Sequence, residues 1–134
     1  MKDGGKRVGR VAEAVRDELA VELRGLHDPR VLGALVTRVE VDVDLQRAKV
    51  FVRHELGLDD MKARREMLKG LEAASGRLRR ELARKLTLRA MPSLHFLYDE
   101  APDQQRRIEE VLKEIKDDDA RRGPGEGGGE GGGG

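Results

Sequence analysis

The sequence predicts an α+β domain, a three-stranded sheet with helices on one face. Two apolar-periodic helical segments flank a pair of alternating runs that a short turn joins. A third alternating run follows a proline near residue 92. Stripes at spacings of three and four and runs with period two each need a partner surface, and one helical layer on one sheet face buries all of them.

Val8, Val11, Ala12, Val15, Leu19 and Leu23 form one apolar stripe on a helix from about Lys6 to Arg24, which Gly25 ends before an Asp28-Pro29 turn. From Leu35 the period becomes two. Leu35, Thr37, Val39, Val41 and Val43 share one face of a strand, opposite Val36, Arg38, Glu40 and Asp42. Ala48, Val50 and Val52 alternate with Lys49, Phe51 and Arg53, so the short link between the runs predicts an antiparallel hairpin. Asp59-Asp60 suits a helix N-terminus, where carboxylates meet unpaired N–H groups. Met61, Arg64, Leu68, Leu71, Ser75, Leu78, Leu82 and Leu86 then step along one helical face, with a break or bend expected at Ser75-Gly76. After Pro92, Leu94, Phe96 and Tyr98 alternate with His95, Leu97 and Asp99 as a third strand. Ile108, Val111, Leu112 and Ile115 mark a short amphipathic helix within 101–116. Residues 117–134 carry almost nothing to bury and are expected to be disordered. Residues 6–100 are the domain proper. The order α-β-β-α-(kink)-α-β is that of a type II KH-like domain, a fold that clamps single-stranded nucleic acid where two helices meet.

Charge and composition narrow the function. Residues 1–100 carry 21 Lys and Arg against 17 Asp and Glu, while 101–134 carry 6 against 9, so the body is basic and the tail acidic. Arg77, Arg79, Arg80, Arg84, Lys85 and Arg89 cluster within thirteen residues against the single Glu81. Such a cluster attracts phosphate, and it equally describes a solvated helix face. The absence of cysteine removes disulfides, thiol catalysis and thiolate metal sites together. His27, His54 and His95 show no ligand spacing, and no phosphate-binding glycine loop or nucleophile elbow occurs. No cofactor, metal or small-molecule substrate is expected. Neither a membrane span nor a secretion signal is visible, and a cytoplasmic monomer is expected. With only Phe51, Phe96 and Tyr98 for stacking, recognition leans on phosphate, sugar and shape.

Ala74, Ser75 and Gly76 are the candidate joint of the helix pair. A helix restarting there would offer free N–H groups and close approach to a phosphate backbone. A packing glycine is the alternative at the same position.

The ordered motifs resemble the ribosome-binding factor A family over about residues 7–100. They are "RVAEAVRDELA", "DPR" at 28–30, "VTRVEVDVDLQRAKVFV" and "EAASGRLRRELARKLTLRAMPSLHFLYD". The family's AxG variant of the KH joint matches Ala74-Ser75-Gly76. The resemblance implies a non-enzymatic assembly factor that binds the free 30S subunit. Such a factor supports late folding and 5′-end processing of 16S rRNA, and aids growth in the cold. The six cations of 77–89 would then meet rRNA phosphates, with Arg84 and Lys85 divided between helix faces. Lys6, Arg7, Arg10, Arg47 and Lys49 are secondary candidates; the last two equally fit a role guarding the sheet edge. A general single-stranded RNA-binding KH module and a protein-interaction domain using the basic helix are the alternatives.

Overall fold

The computed structural model describes residues 2–57 and 60–128. Helix α1 spans Lys2–Arg24, strand β1 Ala34–Val41, strand β2 Arg47–His54, helix α2 Met61–Lys85, strand β3 Ser93–Tyr98 and helix α3 Ala101–Gly128. A single 3-10 turn, Pro29–Val31, links α1 to β1. The chain divides after Asp99 into two compact units.

The first unit is the α+β, KH-like domain. Its sheet has the order β1-β2-β3, with β1 antiparallel and β3 parallel to the central β2. The parallel pair needs a long crossover, which α2 supplies. Alternation on β2 works as the sequence predicts: Ala48, Val50 and Val52 are fully buried and face α1 and α2. Val15, Leu19 and Leu23 from α1 meet them, as do Met67, Leu71, Leu78 and Leu82 from α2. Asp60 caps α2 by accepting a hydrogen bond from the Ala63 N–H at 2.8 Å. Asp59 lies outside the described residues.

The structure departs from the periodic reading at identifiable places. In β1 the buried residue is Val36, and Leu35 is half exposed. The register steps from Val36↔Val52 to Arg38↔Phe51, so Thr37 is an extra residue in a β-bulge. Beyond it Val39 and Val41 pair with Val50 and Ala48 and turn inward, as alternation counted from Val39 requires. Val43 lies past the strand and is almost fully exposed. On α2, Met61 is exposed and Met67 occupies the core.

The expected joint is also different. Helix α2 runs without interruption through Ser75-Gly76, so no second helix N-terminus opens there. The Ser75 hydroxyl donates to the Glu72 carbonyl at 2.8 Å, a back-bond that bends helices rather than ending them. Buried Leu71 on one side and Leu78 and Leu82 on the other hold both halves to one core. This offsets the ~1 kcal/mol that an interior glycine costs.

In the second unit, α3 continues past Lys116 to Gly128, through residues whose composition predicts no structure. The Asp117–Asp119 run finds cations one turn on: Arg121 and Arg122 pair with Asp118 at 2.8 and 3.1 Å. The apolar stripe of Ile108, Val111, Leu112 and Ile115 is about half exposed. Residues 129–134 lie outside the described residues. Among the described residues no helix is long and apolar enough to cross a membrane.

Candidate nucleic-acid interface

The six cations of 77–89 look alike in sequence and part company in the structure. Arg79 is exposed yet engaged: its guanidinium donates to the carbonyls of Met91 (2.7 Å) and Pro92 (3.3 Å), fixing the loop that leads into β3. Lys85 crosses to α1 and pairs with Glu22 and, at 3.2 Å, with Glu18. Its hydrogen bond holds the Glu22 carboxyl below the ordinary 4.5. Glu22 and then Glu18 raise the ammonium above 10.5. Arg84 pairs with Glu81 one turn back. Arg77, Arg80 and Arg89 are exposed and pair with no carboxylate among the described residues.

Arg77 and Arg80 belong to a longer feature. Lys62, Arg65, Lys69, Ala73, Gly76, Arg80 and Arg84 recur at spacings of three and four. They occupy about 100° of the outer face of α2 at 3.6 residues per turn, with Arg77 at its margin. From Arg65 to Arg80 the stripe is about 22 Å long. Its only carboxylate partners among the described residues are Glu66, 3.9 Å from Lys69, and Glu81 on Arg84. Lys62, Arg65 and Lys69 are absent from the cluster that local charge density picks out, although their spacing of three and four marks the same face.

The stripe is lowest in its middle. A Cβ on Gly76 would meet nothing nearer than Arg80 Nη1 at 3.8 Å, so this glycine faces open space and serves no packing role. The packing glycine is Gly70, two turns earlier. There a Cβ would fall 2.7 Å from Val31 Cγ1 and 3.1 Å from Arg30 Cβ. It lets α2 touch the 3-10 turn, which Asp28 caps by accepting from the Arg30 N–H at 2.9 Å while gripping the Arg30 guanidinium at 2.7 Å. That side-chain bond to Arg30 keeps the Asp28 carboxyl below its usual range.

The remaining candidates lie elsewhere. Lys6, Arg7 and Arg10 are exposed on the first half of α1. Arg7 shares a groove of about 590 Å³ with Arg79 and Arg89, between α1, the β1–β2 turn and the loop before β3. Arg10 and Lys85 flank a shallower hollow beside Leu86–Leu88. Arg47 and Lys49 sit on the opposite, outward side of β2, where Lys49 is in register with Glu40 and His95. The eleven cations therefore do not share one face of the domain.

Comparison with known proteins decides the family. The model of the family "Ribosome-binding factor A" matches residues 7–112. The chain belongs to the ribosome-binding factor A family. The match extends twelve residues into α3, past residue 100 where the motif resemblance ends. A ribosome-binding factor A of Sorangium cellulosum is 62% identical over 112 residues, spanning 84% of this chain and 90% of that relative. One of Brevibacillus brevis is 44% identical over 110 residues, 81% of this chain and 88% of that protein. The crystal structure of the family member from Thermus thermophilus superimposes with a TM-score of 0.62 at 28% identity, covering 70% of this chain and 97% of that one. A homology model of the Thermus thermophilus factor, fitted into a cryo-EM map of a 30S–RbfA complex, gives a TM-score of 0.53 at 31% identity. It covers 65% of this chain and 89% of that one.

Proposed function

We propose that this chain binds the free 30S ribosomal subunit through 16S rRNA and, without catalysing a reaction, supports late rRNA maturation, including processing of the 5′ end. The observation that carries the reading is the outer face of α2. Arg65, Arg77 and Arg80 stand there without carboxylate partners among the described residues, the last two beside a glycine whose backbone is open to approach. Cations spaced along about 22 Å of helix match the charge of an RNA backbone, and small residues between them let that backbone come close. The family membership and the Thermus thermophilus 30S complex support the choice of particle. A cytoplasmic monomer fits this role.

The test is sedimentation with 30S particles. Arg77→Glu combined with Arg80→Glu should abolish co-migration at moderate salt while leaving the thermal melt within a few degrees of wild type, since both side chains are exposed. Wild-type binding should also weaken steeply as salt rises. Undiminished co-migration of the double variant would overturn the reading.

A further inference from the structure

The outer face of α2 accounts for Arg77 and Arg80 but leaves Arg7 and Arg89 unused. Both line the groove between α1, the β1–β2 turn and the loop 87–92, and neither pairs with a carboxylate among the described residues. About 590 Å³ is the size of a pocket for a small ligand, too small for a helix or a duplex.

Its lining is of two kinds. Val11, Leu45, Leu88 and Met91 give apolar walls, while Arg7 and Arg89 supply cations and Asp44 and Gln46 polar groups. Leu45 is the informative member. Its φ is 61°, the one left-handed non-glycine residue among the described residues, at a turn where glycine or asparagine would be favoured by about 1–2 kcal/mol. The turn is otherwise ordinary, closed by the Leu45 N–H to the Asp42 carbonyl (2.9 Å) and the Asp42 N–H to the Arg47 carbonyl (3.0 Å). The side chain of this strained leucine lines the groove. The opposite wall is held by Arg79 through Met91 and Pro92, so the groove is braced rather than incidental.

We propose that this groove holds one unstacked nucleotide of single-stranded RNA, with the base against Leu45, Leu88 and Met91 and its phosphate at Arg7 and Arg89. Asp44 repels phosphate from the turn side and accepts from an exocyclic amino group, which favours cytosine over uracil. The inference rests on the RNA-binding reading above and adds a strand preference that a cationic helix face alone does not give.

The test compares the full chain with two variants, using a cytidine hexamer and a short RNA duplex as probes in a direct binding titration. Leu45→Asn keeps the left-handed turn at lower strain, so its melt should equal or exceed wild type; Arg89→Gln removes an exposed charge. Each should weaken hexamer binding, Leu45→Asn by about tenfold as expected when an apolar side chain covered by the base is lost, with duplex binding nearly unchanged for Leu45→Asn. Arg77→Glu with Arg80→Glu should weaken both probes. Hexamer affinity unchanged in Leu45→Asn would overturn the groove, as would an equal loss on the duplex, and would leave the α2 reading intact. If wild type binds 30S particles but neither RNA, the groove reading fails and protein contacts on the subunit replace it. Failure to bind 30S at all overturns both.

Discussion

Two glycines on α2, six residues apart, face opposite worlds. Gly70 is buried against Val31 and Arg30, and the space its missing side chain leaves is filled by the 3-10 turn. Gly76 has open solvent where a side chain would stand. The cations divide the same way. Arg79 and Lys85 are tied to other parts of the domain, the loop before β3 and α1, while Arg77 and Arg80 look outward with no carboxylate partner among the described residues. A residue's type tells what it can bind; its azimuth on the helix tells whether it is still free to do so.

The contrast can be broken most forcefully at Gly70. Gly70→Val should cost about 3 kcal/mol, because a branched side chain must enter a space where even a Cβ lies 2.7 Å from Val31. For a domain of this size that lowers the melting temperature by well over ten degrees; a melt near wild type would show that the 3-10 turn yields freely. At Gly76 the sign should reverse. Gly76→Ala should raise stability by up to about 1 kcal/mol, as expected for an exposed helix interior. If the open backbone is where RNA approaches, the same change should weaken 30S association several-fold in a sedimentation titration. A stabilised variant that binds as well as wild type would leave the arginines as the sole determinants. The smallest effect belongs to Lys85→Met, followed by thermal melts across pH. Glu22 titrates below its ordinary value when folded. Its contribution is therefore complete above 4.5 and is lost as pH falls through the lowered folded-state value. Lys85 is raised, so its contribution is complete below 10.5 and is lost as pH climbs past the raised value. The gap between wild type and variant should thus be widest at neutral pH and close at either extreme. A gap that persists at low pH would assign it to packing of the lysine stem.

Much of the fold is legible in the sequence because period and burial coincide. Val50 and Val52 alternate cleanly, Val15, Leu19 and Leu23 step by four, and Asp60 caps where a carboxylate is expected. The bulge is not legible. Leu35, Val36 and Val39 are apolar on both parities, so nothing local says which face each takes; pairing with β2 decides. Ser75-Gly76 reads as an interruption because the sequence shows its cost and not the leucines that hold both halves to one core. On the candidate face, density of charge in the sequence picks out Arg77 and Arg80 together with Arg79 and Lys85. What the sequence does not show is that Arg79 is held by carbonyls at 91 and 92 and Lys85 by a carboxylate at Glu22, 63 positions away. Lys62, Arg65 and Lys69 draw no attention in the sequence, being spread thinly along the chain yet gathered on one helix face.

Thr37 makes the chain through β1 one residue longer than its partner strand. Removing that single residue would not break the alternation; it would complete it. Val36, Arg38, Val39, Glu40 and Val41 would follow one another in strict alternation, each against the β2 residue it already faces, from Val52 to Ala48. What would be lost is the local bend that a bulge gives its strand, and the hydrogen bond that the Thr37 hydroxyl donates to the Asp99 carboxylate at 2.6 Å. Thr37 is therefore dispensable to the parity of β1 but not to its shape.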